Sequence, residues 1–309
     1  MAKKESLCDQ LLDELEEYAK KNTVLKGTVL KNICAPLGTF NVKDVGSKYT
    51  FDNYYFNDSI KTLLDTDVFG YFNNVEKYNK IGIKKRGIIL EGAVGTGKST
   101  LNYVICNKKN SETTAFWITP ETINTNINKA ETGFKTIYEL ASFLSPSIIF
   151  LEDIDLYGED RSISRNTTNL GSLMNILDGV ESVENCITIA TTNNLGSIEK
   201  ALRNRPGRFD RVVEIPALDK TMIEKMLKDR LQEYILSDDI LKLILTKIAD
   251  RTGAEVEDFV LTLKLQYLED NCDKTITTEN VEKVLKIIKK HGSHDKQENG
   301  FGFNKEDKE

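Results

Sequence analysis

The chain has 309 residues, with 42 basic against 48 acidic side chains (a formal net charge of −6), 39% hydrophobic residues and 8% aromatics. At about 100–200 residues per domain this is roughly two domains, with enough apolar mass in each to exclude global disorder. The acidic balance argues against a protein that coats nucleic acid. No apolar run approaches the roughly 18 residues that cross a bilayer, and the N-terminus MAKKESLCDQ has no apolar signal core.

Residues 6–20 place Leu7, Leu11, Leu12, Leu15 and Tyr18 at helical spacing among charged residues, which predicts one amphipathic helix. Its apolar face either docks on its own domain or binds a partner. Residues 23–48, with Pro36, Gly38 and Gly46, read as a connector with short extended pieces. From about residue 50, short apolar runs recur at Gly87–Leu90, Ala115–Thr119, Ser147–Leu151, Cys186–Thr191 and Val212–Ile215. Helical patterns such as Leu170, Leu173, Met174 and Leu177 lie between them. Strands alternating with helices imply parallel pairing through crossovers, and so an α/β sandwich. After Pro216 the strand runs stop. Asp219 and Ser237 are placed to cap two helices, a third begins near Gly253 and a fourth at Thr278, which together make a small all-helical domain. Residues 291–309 read as a mobile, disordered tail. Five scattered cysteines without a CxxC pair, and two histidines in that tail, read as reduced thiols in a cytoplasmic protein with no zinc site.

The strongest chemical signal is Gly92-Ala93-Val94-Gly95-Thr96-Gly97-Lys98-Ser99, which fits G-x-x-x-x-G-K-[ST] and runs from a strand into the helical stretch that begins at Thr100. Glycines let backbone N–H groups close around phosphate oxygens, and the helix directs its positive end at the same anion. Lys98 is placed to reach the β- and γ-phosphates and the Ser99 hydroxyl to ligate Mg²⁺. Downstream, the buried run Ser147–Leu151 ends in Glu152, Asp153 and Asp155, which suits a Walker B element. The strand Ile187–Thr192 ends in Asn193, which either orients the attacking water or touches the γ-phosphate. Residues 203–211 carry four arginines around a Pro-Gly turn. They are either a solvated loop or guanidinium groups presented to a phosphate on a neighbouring subunit.

With these motifs in this order, the chain resembles the AAA family of ATPases, within the AAA+ class, over roughly residues 51–290. The stretches that carry the resemblance are IGIKKRGIILEGAVGTGKST, PSIIFLEDID, NILDGV, TTNN with ALRNRPGRFDR, and TGAEVEDFV. The resemblance implies a P-loop three-layer sandwich with a parallel sheet over 51–216, after an N-terminal helix and connector over 1–50. A helical lid over 217–290 and the tail over 291–309 follow. It implies ATP and Mg²⁺ as ligands and a homo-oligomer, usually a hexameric ring. Asn193 matches the sensor-1 position, Arg205 and Arg208 match the paired arginine fingers, and Gly253 and Ala254 match a Gly-Ala motif beside the nucleotide. Phe51-Asp52 matches the start of a segment that packs near the adenine, and Asn53-Tyr54-Tyr55 departs from its usual pattern.

Two further departures stand out. The usual Walker B order is Asp then Glu; here it is Glu152 then Asp153. Position matching makes Glu152 the Mg²⁺-side acid and Asp153 the water-activating one. The same order, with NILDGV, resembles the subgroup that contains the mitochondrial translocase of folded Rieske protein. In the stretch PETINTNINKAET, Asn126 stands near the position where an aromatic usually grips a threaded polypeptide; Ile123 and Ile127 are its large apolar residues. The resulting expectation is a Mg²⁺-dependent ATPase that remodels a protein or protein complex. The alternatives are a nucleic-acid-associated helper in replication or recombination, and a slow nucleotide-gated scaffold.

Overall fold

The computed structural model describes residues 7–34, 39–82, 85–120, 130–157, 185–196, 198, 209–249, 251–269 and 274–298. They fall into two units, Met1–Pro216 and Ala217–Glu309. The first is built on seven strands: β1 (Val29–Cys34), β2 (Thr39–Val42), β3 (Lys85–Glu91), β4 (Thr114–Ile118), β5 (Ser147–Leu151), β6 (Cys186–Thr192) and β7 (Arg211–Glu214). Their spatial order is β2-β1-β4-β5-β6-β3-β7. Only β2 runs antiparallel to its neighbour; all other pairings are parallel.

Parallel sheets are covered on both faces, so their strands read as continuous apolar runs rather than alternating ones. β4, β5 and β6 are buried along their whole lengths. Because successive side chains point to opposite faces, Phe116, Ile118, Ile149 and Leu151 join one core with Phe134, Ile137 and Ala141 of α6 (Ala130–Phe143). Ala115, Trp117, Ile148 and Phe150 join the other, with Leu101, Val104 and Ile105 of α5 (Lys98–Lys108). Residues 58–80 complete this second layer as α2 (Asp58–Leu64), a π-helical turn (Asp65–Phe69), α3 (Gly70–Asn73) and α4 (Val75–Lys80), burying Ile60, Leu64, Val68 and Tyr71. The result is helix, sheet, helix: the three-layer α/β sandwich expected from the strand–helix alternation.

Two findings add to the sequence reading. The connector residues 29–42 supply β1 and β2, so the sheet begins well before residue 51. The N-terminal helix α1 (Leu7–Asn22) forms, yet Leu11, Leu12, Leu15 and Tyr18 are all more than half exposed. Its apolar face is therefore not docked on the domain that follows it.

The second unit holds α7 (Lys220–Arg230), α8 (Asp238–Lys247), α9 (Gly253–Glu269) and α10 (Thr278–Glu298). The predicted caps form: Asp219 accepts from the Met222 N–H and Ser237 from the Ile240 N–H. Helix α10 continues to Glu298, so the stretch read as a tail from residue 291 starts within a helix, and residues 299–309 lie outside the described residues. No helix among the described residues is long and apolar enough to cross a membrane.

Candidate functional site

The site sits where open α/β sheets place ligands, at the carboxyl ends of the strands. Register brings its parts together. Glu91, the last residue of β3, pairs with Thr192, the last residue of β6, so the loop starting at Gly92 and the polar turn starting at Asn193 leave the sheet side by side. β5 ends at Leu151, opposite Ala190, which sets Glu152 and Asp153 beside the same turn.

The loop backbone admits no larger residues at two points. A Cβ on Gly92 would stand 2.4 Å from the Ile215 carbonyl oxygen, and Gly97 has φ +101° with Phe56 3.3 Å from its would-be Cβ. Gly95 is also left-handed, at φ +84°. Thr96 ties the loop to itself by donating to the Ala93 carbonyl at 2.9 Å, while Val94 stands exposed at the tip. Helix α5 begins at Lys98 with no side-chain cap, so its first N–H groups, from Lys98 through Ser99 and Thr100, lack intrahelical acceptors. That is an anion-binding arrangement.

Lys98, a residue 7% exposed, donates through its ammonium to the Gly92 carbonyl at 2.6 Å, the Ala93 carbonyl at 2.9 Å and Asn193 Oδ1 at 2.8 Å. Burial lowers its pKa, and attraction from Asp153 and Asp155 works against that. Asn193 is the bridge: its Nδ2 donates to Asp153 Oδ1 at 3.4 Å, and its backbone N–H donates to Asp155 Oδ1 at 3.3 Å. The side-chain amide thus links the loop lysine to Asp153, and the backbone of the same residue reaches Asp155.

The two acids differ in surroundings. Asp153 adopts φ +49°, a left-handed conformation that short polar side chains tolerate best. Its N–H donates to Thr191 Oγ1 at 3.0 Å. Glu152 is anchored through its own N–H to the Ile118 carbonyl at 2.9 Å. Burial pushes its carboxyl above the usual carboxylate range, against hydrogen bonds from Trp117 and Ser99. Its Oε1 is buried without a partner. A buried carboxylate oxygen without a donor, beside a serine hydroxyl, fits a hard divalent cation of the Mg²⁺ type.

Of the residues singled out in the sequence, Gly92 through Thr100, Glu152, Asp153 and Asn193 are brought to this edge. Gly253 and Ala254 open α9 in the second unit, within a capping box: Glu255 N–H donates to Thr252 Oγ1 and Thr252 N–H to Glu255 Oε2. Arg205 and Arg208 lie outside the described residues, as do residues 121–129, most of the PETINTNINKAET stretch, and the NILDGV segment. At the end of the arginine segment, Asp210 accepts from the Gly87 N–H at 3.1 Å and pairs with Arg86 at 2.8 Å, which pins it to β3. Sequence reading assigned no role to Asp155, Thr191 or Trp117. Asp155 lay in view among the strand-end acids, whereas Thr191 and Trp117 look like ordinary strand residues until register places them.

Residues 88–217 match the family described as "ATPase family associated with various cellular activities (AAA)". The chain is 35% identical over 191 residues to Protein CdcH of Halobacterium salinarum, covering 58% of this chain and 25% of that protein. It is 30% identical over 241 residues to the proteasome-activating nucleotidase of Methanothermobacter thermautotrophicus, covering 74% and 57%. It is 31% identical over 204 residues to the ATP-dependent zinc metalloprotease FtsH 2 of Thermoanaerobacter, covering 64% and 39%. The chain thus spans between a quarter and somewhat more than half of these relatives' lengths.

Proposed function

Residues 88–217 being an AAA ATPase domain, we propose that the chain binds Mg·ATP on the loop Gly92–Ser99, hydrolyses it to ADP and phosphate, and uses the cycle to remodel a protein or protein complex. The observation that carries this is the Asn193 amide, which joins Lys98 on one side to Asp153 on the other. A phosphate chain laid across the loop would meet the lysine, the α5 amides and the acid pair together.

The roles follow from the surroundings. The α5 N–H groups and Lys98 hold phosphate oxygens, and Lys98 exchanges its loop carbonyl partners for them. Ser99 and Glu152 hold the metal side of the site, where Mg²⁺ supplies charge neutralisation at the β- and γ-phosphates. Asp153 accepts a proton from the attacking water, and Asn193 orients that water and the γ-phosphate. Arg205 and Arg208 complete the site of a neighbouring subunit in a ring, and Gly253 and Ala254 serve as the lid's small-residue contact with nucleotide. The names of the relatives, proteasome-activating nucleotidase and ATP-dependent metalloprotease, support protein rather than nucleic acid as the client.

The order Glu152–Asp153 favours a second reading. It is the feature that resembles the Rieske-protein translocase subgroup, and it lengthens one acid and shortens the other. That suits slow turnover and a nucleotide-gated scaffold. Single-turnover hydrolysis in the assembled protein separates the two: a remodeller turns over on the ordinary enzyme scale of seconds or faster, and a scaffold stays loaded far longer. A DNA-binding titration tests the nucleic-acid alternative, which needs a steep log–log salt dependence. Affinity capture with Asp153→Asn, which locks the ATP form, tests for a retained protein client.

A further inference from the structure

A buried hydroxyl stands at the end of β6 where packing alone has no use for one. Side chains two apart on a strand share a face, and Ile187 and Ile189 lie in the core shared with α5. Thr191 continues that face and is fully buried. Valine has the same shape and would suit an apolar face without bringing a hydroxyl that needs a partner. The Thr191 hydroxyl finds its partner across the strand ends: Oγ1 accepts from the Asp153 N–H at 3.0 Å. Asp153 is held on its other side as well, where its carbonyl accepts from the Leu156 N–H at 3.0 Å and opens the 3₁₀ turn Ile154–Tyr157. Between these two bonds its backbone sits at φ +49°, a conformation that costs an L-residue free energy and persists where surrounding contacts fix it. The same strand end ties down the rest of the site. The Thr192 carbonyl accepts from the Gly92 N–H at 3.3 Å, at the start of the phosphate loop, and Asn193 Nδ2 reaches Asp153 Oδ1 at 3.4 Å.

We infer that Thr191 is a positioning residue: its hydroxyl fixes the left-handed backbone of Asp153 and so aims the Asp153 carboxylate at the water it activates. This rests on the proposed ATPase reading, in which Asp153 is the base, and adds to it a role for a strand residue that acts through that base. The aspartate side chain is short, so a turn of its backbone carries the carboxylate with it and the few side-chain rotamers compensate little. A misplacement of about 1 Å at a reacting centre can cost on the order of 10²-fold in rate.

The test uses the full chain and compares turnover with Mg·ATP affinity. Thr191→Val keeps the shape of the side chain and removes the acceptor. The expected result is a kcat lowered between about tenfold and a hundredfold, with Mg·ATP affinity within about twofold of wild type. Thr191→Ser keeps the hydroxyl and should restore most of the rate. In an Asp153→Asn background, where the base is already gone, Thr191→Val should lower the residual rate no further, because residues that act as a unit are non-additive. A role in packing alone would lower it again. A folded Thr191→Val protein with wild-type kcat overturns the inference and leaves the ATPase reading intact. So does a Thr191→Ser protein as slow as Thr191→Val, or a further loss in the Asp153→Asn background. If Thr191→Val does not fold, Thr191→Ser and Thr191→Ala, which differ by the hydroxyl alone, take its place, and equal kcat in those two overturns the inference. A wild-type protein that releases no phosphate overturns the ATPase reading, and this inference with it.

Discussion

Lys98 is the side chain on which the proposed chemistry depends first. Its ammonium is held by two loop carbonyls and Asn193, so phosphate oxygens would replace existing partners. Charge-assisted hydrogen bonds contribute about 1.5–3 kcal/mol each. Lys98→Ala should therefore weaken ATP binding by at least about 3 kcal/mol, more than a hundredfold in Kd, as read by calorimetry; unchanged affinity would remove the loop assignment. Glu152→Gln should raise the Mg²⁺ requirement while leaving metal-free nucleotide binding close to wild type. The opposite pattern, turnover blocked with metal affinity intact in Glu152→Gln and normal turnover in Asp153→Asn, would exchange the two acids' roles. The sequence order Glu-Asp looks like a bare swap of the usual pair. The structure supplies a physical setting for it: position 153 sits at φ +49°, where an aspartate is better tolerated than a longer side chain. That conformation has no signature in the letters. Asp155 was readable as an acid, but its bond to the Asn193 N–H depends on how β5 and β6 end relative to one another.

At the scale of elements, the loop and the lid helix each offer a stability test. Gly97 sits at φ +101° with Phe56 close behind it. Gly97→Ala should cost roughly 1–2 kcal/mol from the left-handed backbone alone, measured by denaturant unfolding of the first unit's signal. Thr252 caps α9 through a reciprocal box with Glu255, and Thr252→Ala should cost about 1 kcal/mol. Burial works to raise the Glu255 pKa, but hydrogen bonds from the Thr252 backbone and from Arg251 outweigh it and hold the carboxyl below its usual range. The carboxylate is favoured by folding, so the box stabilises α9 fully above the ordinary glutamate range. That contribution fades as pH falls through the depressed value, and Glu255→Gln should flatten the acid limb of the unfolding curve. The strands β3 to β6 were legible because burial on both faces writes continuous runs such as Ser147–Leu151, and β7, exposed at three of its four residues, was legible from its adjacent valines. β1 and β2 were not, since β2 lies at the sheet edge, β1 carries Lys31 and Asn32, and Pro36 and Gly38 fall between them. Helix caps at Asp219 and Ser237 were legible because a cap is a local device. The exposure of Leu11, Leu12, Leu15 and Tyr18 was not, because an amphipathic pattern does not say what covers it.

For the whole molecule, the account requires more than one copy. Arg205→Ala and Arg208→Ala should leave ATP binding largely intact and lower turnover by on the order of 10³–10⁵, the range that arginine fingers contribute in phosphoryl transfer. If the arginines act on a neighbour's nucleotide, activity per subunit should rise with protein concentration. Mixing Arg205→Ala with Asp153→Asn protein should then restore part of the rate, at sites where an intact acid faces an intact arginine. A concentration-independent rate in a protein shown to be monomeric would contradict the ring. Beneath assembly lies the claim that this strand edge binds and cleaves ATP. The most direct measurement is phosphate release and Mg·ATP affinity, determined side by side for wild type and Asp153→Asn. Asparagine keeps the size and the bond to Asn193 within reach but cannot serve as the carboxylate base, which typically contributes 10²–10⁴-fold. The account predicts near-wild-type affinity with turnover reduced by at least about a hundredfold; wild-type turnover in Asp153→Asn, or no phosphate release from the wild type, would contradict it.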